Sequence, residues 1–164
     1  MEHCEGLVRL IQLQLPNLPG LSFGDVQKIK AMAKISDYPE AIVGDFRPGE
    51  VDVETKHRVE YLAACVLFEK CPRELQLFEE YQQQNTNVSK LASDFDKIHP
   101  VLIASHYETR KPGITEEFYQ SASRRLKTDQ GKELLDRLHR DVGYRDMLVE
   151  NIHGSCFSGK VQRM

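Results

Sequence analysis

Apolar residues in this chain recur at steps of three and four, and no stretch alternates apolar with polar positions between hairpin turns. That periodicity restricts the backbone to amphipathic helices, so the expected fold class is all-α. An opening helix carries Leu7, Val8, Leu10, Ile11 and Leu15 and stops at Pro16. A second begins at Ser22, where Ser22-Phe-Gly-Asp25 forms a capping box with Asp in place of Glu, and continues through Val26, Ile29, Met32, Ala33 and Ile35. Pro39 cannot extend a helix that precedes it, which predicts a stop or kink near Asp37, then a short helix and the loop Gly44–Gly49.

A longer helix is expected to turn Val59, Leu62, Ala63 and Val66 to one face, with Lys56 and Glu60 paired at i,i+4. Arg73–Gln84 carries Leu75, Leu77 and Phe78, and the polar turn Gln82–Asn87 closes it. A stripe of Leu91, Phe95, Ile98 and Leu102 marks a helix over Val88–Tyr107 that Pro100 is expected to kink or split. Shorter helices are predicted at Thr115–Leu126 and Gln130–Val142, ahead of an irregular Gly154–Gly159 tail.

Composition narrows the function. The 164 residues include 40% hydrophobic and 29% charged side chains, enough for one core without disulfide staples. With 22 basic against 25 acidic residues and no basic block, no surface for a nucleic-acid polymer is visible, although small phosphorylated ligands fit. The four cysteines form no CxxC pair, which favours free thiols and a cytoplasmic setting. No apolar run is long enough for a membrane span, and the start lacks a signal-peptide pattern.

A hydrolytic metal site needs imidazole and carboxylate ligands from several elements, plus a carboxylate to handle the proton of the attacking water. The candidates are His3, Asp37, Glu40, Asp45 and Asp96. Each also has an ordinary structural role: His3 as an exposed terminal imidazole, Asp37 as a cap, Glu40 as a first-turn acid, and Asp45 as a turn residue. Asp94 and Asp96 flank the apolar stripe equally. His99 and His106, seven residues apart, lie roughly 10 Å apart along a helix and cannot share one ion.

The ordered segments Ile35-Ser-Asp-Tyr-Pro-Glu-Ala-Ile-Val-Gly-Asp45, Lys56-His-Arg-Val-Glu60, Leu77-Phe-Glu-Glu-Tyr81, Lys90–Asp96 and Ala104-Ser-His-Tyr-Glu108 resemble the HD-domain hydrolases, more narrowly their 5′-deoxynucleotidases. The resemblance spans residues 1–126 and implies an HD-domain helical bundle there, with a C-terminal helix and tail over 127–164. It implies His3, Asp37 and Asp96 as metal ligands, choosing Asp96 over Asp94. Glu40 falls where the family has a water-activating carboxylate, and Asp45 where a second acid assists. Implied with them are a divalent ion (Co, Mn, Mg or similar), a nucleoside 5′-monophosphate substrate and a homodimer.

Two departures accompany the resemblance. Ser36 occupies the position of the second metal-binding His, and a neutral hydroxyl is a poor ligand beside an imidazole. The family also carries a leading helix with an Arg and a Trp facing the nucleotide; this sequence starts two residues before His3 and contains no Trp, so part of the substrate pocket is expected to be absent. The alternative is a degenerate HD-fold protein that serves as a nucleotide-binding or dimerisation scaffold without turnover. A third reading is an HD-fold enzyme of another phosphoester class, since fold does not fix substrate.

Overall fold

The computed structural model describes residues 2–14, 18–44, 46 and 49–153. Among them the regular elements are all helical: α1 (Glu2–Gln14), α2 (Phe23–Ile35), α3 (Glu40–Val43), α4 (Val53–Leu67), α5 (Pro72–Gln83), α6 (Asn87–Tyr107), α7 (Ile114–Ser123), α8 (Asp129–Arg140) and α9 (Val142–His153). The all-α expectation holds. The chain divides into two compact units, one made of Met1–Pro19 with Asp94–Met164, the other of Gly20–Ser93.

In the first unit α1 buries Leu7, Leu10 and Ile11 completely, as their spacing requires. Leu15 and Pro16, the expected end of this helix, lie outside the described residues, as does the Gly154–Gly159 tail. Helix α1 packs along α9. Arg9 Nη1 donates to the Ile152 carbonyl at 2.9 Å, meeting one of the acceptors that a helix C-terminus leaves without an intrahelical donor. At the other end the Tyr144 hydroxyl donates to Gln14 Oε1 at 2.9 Å. The expected helix over Gln130–Val142 is in fact α8 followed at once by α9, because Asp141 Oδ1 accepts from the Tyr144 N–H at 2.9 Å and starts a new helix.

Helix α6 is not split at Pro100. The proline deprives the Asp96 carbonyl of its i+4 donor, a local cost of about 3 kcal/mol. Burial of Phe95, Ile98, Val101 and Leu102 around it opposes that cost. Asp94 in the same helix is fully buried. Its carboxylate accepts from the Lys127 N–H at 2.9 Å, and from the Thr128 N–H and hydroxyl at 2.7 Å each. Thr128 caps α8, and the approach is so close that a Cβ on Gly131 would lie 2.6 Å from Asp94 Oδ2. After α6, Glu108 closes the next loop by accepting from the Gly113 N–H at 2.6 Å and the Thr115 N–H at 2.9 Å.

The second unit has its own core of Ile35, Ala64, Phe68 and Phe78, flanked by Leu75 and Leu77. Ser22 and Asp25 form the reciprocal capping box that starts α2, with Asp25 N–H to Ser22 Oγ at 3.1 Å and Ser22 N–H to Asp25 Oδ2 at 2.9 Å. The chain leaves α2 at Ser36, and α3 follows Pro39, as expected. Helix α4 corrects the expected face: Leu62 is 57% and Val66 72% exposed, whereas Ala63 and Ala64 are buried. The stripe through Ala64 and Phe68 lies about 100–200° around the helix from Leu62 and Val66, and its small alanine permits close packing.

Two outcomes follow. Asp94→Ala should lose about 3 kcal/mol in chemical denaturation, because buried donors on Lys127 and Thr128 lose their acceptor. Asp96→Ala should cost less than about 1 kcal/mol, as its contact with His3 is part-exposed. Donors on Thr115, then Gly113, hold the Glu108 pKa at about 2, below its ordinary 4.5. The stability it contributes is therefore complete above pH 4.5 and lost as pH falls through 2. The gap in denaturation midpoint between wild type and Glu108→Gln should accordingly shrink across that window.

Candidate metal centre

The first turn of α1 carries His3, and α6 carries Asp96 and His99 three residues apart on one face. Asp96 lies two positions after Asp94, a rotation of about 200°, so one aspartate supports α8 while the other meets α1. His3 Nε2 lies 3.1 Å from Asp96 Oδ1. Both side chains are about one-third exposed, so solvent reaches the pair. His3 is thus neither isolated nor fully exposed, and the two aspartates differ in surroundings: Asp94 is buried against Lys127 and Thr128, and Asp96 is part-exposed beside His3.

On its other side, His3 Nδ1 lies 3.2 Å from His99 Nδ1, and the two rings meet edge to face with centroids 4.7 Å apart. His99 is completely buried. The ring of His153, at the end of α9, lies 5.4 Å beyond it. Burial first, then the neighbouring His3 and His153 rings, pushes the His99 pKa down to about 3, so it is neutral at neutral pH. Gly6 makes room: a Cβ there would stand 2.5 Å from His99 Nε2 and 3.2 Å from His153 Cε1.

The other candidate residues belong to the second unit. Asp37 is half-buried in the turn after α2, and its Oδ1 accepts from the Ser36 hydroxyl at 3.3 Å. That hydroxyl also lies 3.4 Å from the Ala33 carbonyl, so Ser36 is turned onto its own helix end. Glu40 opens α3, with Lys56 Nζ 3.7 Å from its Oε1 and 3.4 Å from Glu60 Oε1. Asp45 lies outside the described residues. A separate groove of about 470 Å³ in this unit, lined by Lys28, Arg73 and Glu80 among others, includes none of these residues.

His3 and Asp96 suit a divalent cation. Two ligand atoms about 2.1 Å from one ion stand roughly 3.0–3.4 Å apart in octahedral or tetrahedral geometry, which brackets the observed separation. A ligating imidazole also needs a partner on its second nitrogen, and His99 stands there. Sequence periodicity gave no reason to join His99 to His3, because a separation of ninety-six positions carries no spacing signal. The same holds for Gly6 and His153, which it also missed.

The sequence matches the HD domain family over residues 19–138. The chain belongs to that family. Its HD-domain relatives include the 5′-deoxynucleotidase HDDC2 of Bos taurus, 34% identical over 115 residues that make up 65% of this chain and 56% of that protein. The Homo sapiens protein of the same name is 31% identical over 115 residues, again 65% and 56% of the two chains. That of Danio rerio is 29% identical over 123 residues, 70% and 62%. The chain therefore spans a little over half the length of the curated relatives it matches. No helix among the described residues is long and apolar enough to cross a membrane.

Gly6 offers a direct check on the histidine packing. Gly6→Ala should destabilise the protein by about 1–3 kcal/mol in urea titration, because the new methyl group must displace buried rings. Gly24→Ala, whose Cβ would meet only Ser22 Oγ at 3.6 Å, should instead be neutral or stabilise by up to about 1 kcal/mol.

Proposed function

We propose that this chain is a divalent-metal-dependent phosphohydrolase that removes phosphate from deoxynucleoside 5′-monophosphates, acting as a homodimer. Its metal ligands in this reading are His3, Asp37 and Asp96, with Glu40 activating water and Asp45 assisting. The observation that carries the reading is the 3.1 Å approach of His3 Nε2 to Asp96 Oδ1, between residues ninety-three positions apart in sequence. Similarity to the 5′-deoxynucleotidases supports the substrate class.

When bound, the ion supplies Lewis acidity toward the phosphoryl group and acidifies water. The protein's own groups do the rest. Three protein ligands leave coordination positions open, as catalytic sites require. Glu40, with Lys56 Nζ 3.7 Å from its Oε1, would serve as the proton acceptor. The 5′-monophosphate itself is held for attack at phosphorus by positioning rather than by covalent chemistry.

A specific observation favours the second reading, a scaffold without turnover. Ser36 replaces an imidazole and directs its hydroxyl to Ala33 and Asp37. Elemental analysis and phosphate release from a panel of 5′-monophosphates with added cobalt or manganese separate the two. The enzyme reading expects one ion per chain and measurable release, with Glu40→Gln lowering turnover about a hundredfold or more. Neither metal nor release under any ion would leave the scaffold. Ser36→His should tighten metal binding, as read by isothermal titration.

A further inference from the structure

A metal-binding imidazole commits one nitrogen to the ion, and the hydrogen bond on its other nitrogen fixes the ring. Carboxylates and backbone carbonyls commonly fill that role. Here the neighbour of His3 Nδ1 is a second imidazole, that of His99, at 3.2 Å. His99 is fully buried, and its Nε2 has no hydrogen-bond partner among the described residues. An apolar side chain of similar size would fill the same space without leaving a polar atom unmet, which costs about 1–3 kcal/mol. Packing alone therefore does not account for histidine at this position. What the imidazole adds is Nδ1, the atom that faces His3.

The ring is also held firmly. The α1 backbone at Gly6 stands at its Nε2–Cε1 edge, with no space even for a methyl group, and the ring of His153 lies 5.4 Å away. Packed in this way, His99 is a fixed point from which His3 can be aimed.

We propose that His99 is a positioning residue for His3: its Nδ1 bonds His3 Nδ1 and thereby keeps His3 Nε2 directed at Asp96, while Gly6 and His153 hold His99 in place. This role rests on the reading that His3 and Asp96 bind a cation. With an ion on Nε2, His3 would donate from Nδ1 to the His99 Nδ1 that faces it.

The test compares His99→Leu, which fills the space but removes the nitrogen, with His99→Asn, whose side-chain oxygen falls where Nδ1 lay. Circular dichroism first establishes that each variant is folded. Manganese binding by isothermal titration should weaken about 10–100-fold in His99→Leu and stay within about threefold of wild type in His99→Asn. Equal weakening in both variants, or none in either, would overturn the role. Nuclear magnetic resonance of the His3 ring in metal-free protein supplies a second readout. One ring orientation is expected in wild type and His99→Asn, and averaging in His99→Leu; an unchanged ring in His99→Leu overturns the proposal.

If wild-type protein takes up no manganese, the cation-binding reading fails, and the ring measurement alone decides whether His99 positions His3. Should His99→Leu not fold, the wild-type ring decides: a single orientation supports the role, and an averaged one overturns it.

Discussion

The buried Asp94 carboxylate is the interaction on which the first unit depends. It gathers donors from Lys127 and Thr128 at the start of α8, so the position of α8 against α6 is set by hydrogen bonds to a charge held away from water. A charge so placed persists only when its acceptor capacity is met, and Gly131 is the residue whose lack of a side chain allows the approach. Helix α8 leads directly into α9, and α9 lies along α1. The placement of His3 thus traces back through the packing of helices near the opposite end of the sequence.

The same helix places two aspartates in unlike surroundings by rotation alone. Asp94 is sealed from water and Asp96 is not, though only Phe95 stands between them. Asp96 meets an imidazole on α1, while His99, one turn further, stands behind that imidazole. In the proposed reading this carboxylate and imidazole, both reached by solvent, would hold the ion for metal-assisted hydrolysis. Ser36 is the element of the sequence that departs from this chemistry, and its hydroxyl is used locally at the end of α2.

Much of this was legible beforehand, for identifiable reasons. Helices whose apolar stripes are large and whose ends carry strong signals, such as α2 between its Ser22 cap and Pro39, follow from local physics. Helix α4 misleads because its buried face uses alanines, while Leu62 and Val66 advertise a different one. Pro100 argues for a split that burial on both sides opposes. The join at Asp141 is invisible to periodicity, since α8 and α9 follow without a gap of more than one residue. Family resemblance singled out His3 and Asp96; His99 was beyond any local rule, because what selects it is a contact with a residue near the other end of the chain.

The contact between Gly6 and His99 also constrains how this sequence can diverge. A larger residue at position 6 is harmful while an imidazole occupies position 99, and a smaller residue at position 99 leaves a void while glycine remains at position 6. The two positions are thus epistatic: related chains are expected to exchange them as a pair, with bulk transferred from α6 to α1, rather than to alter either alone.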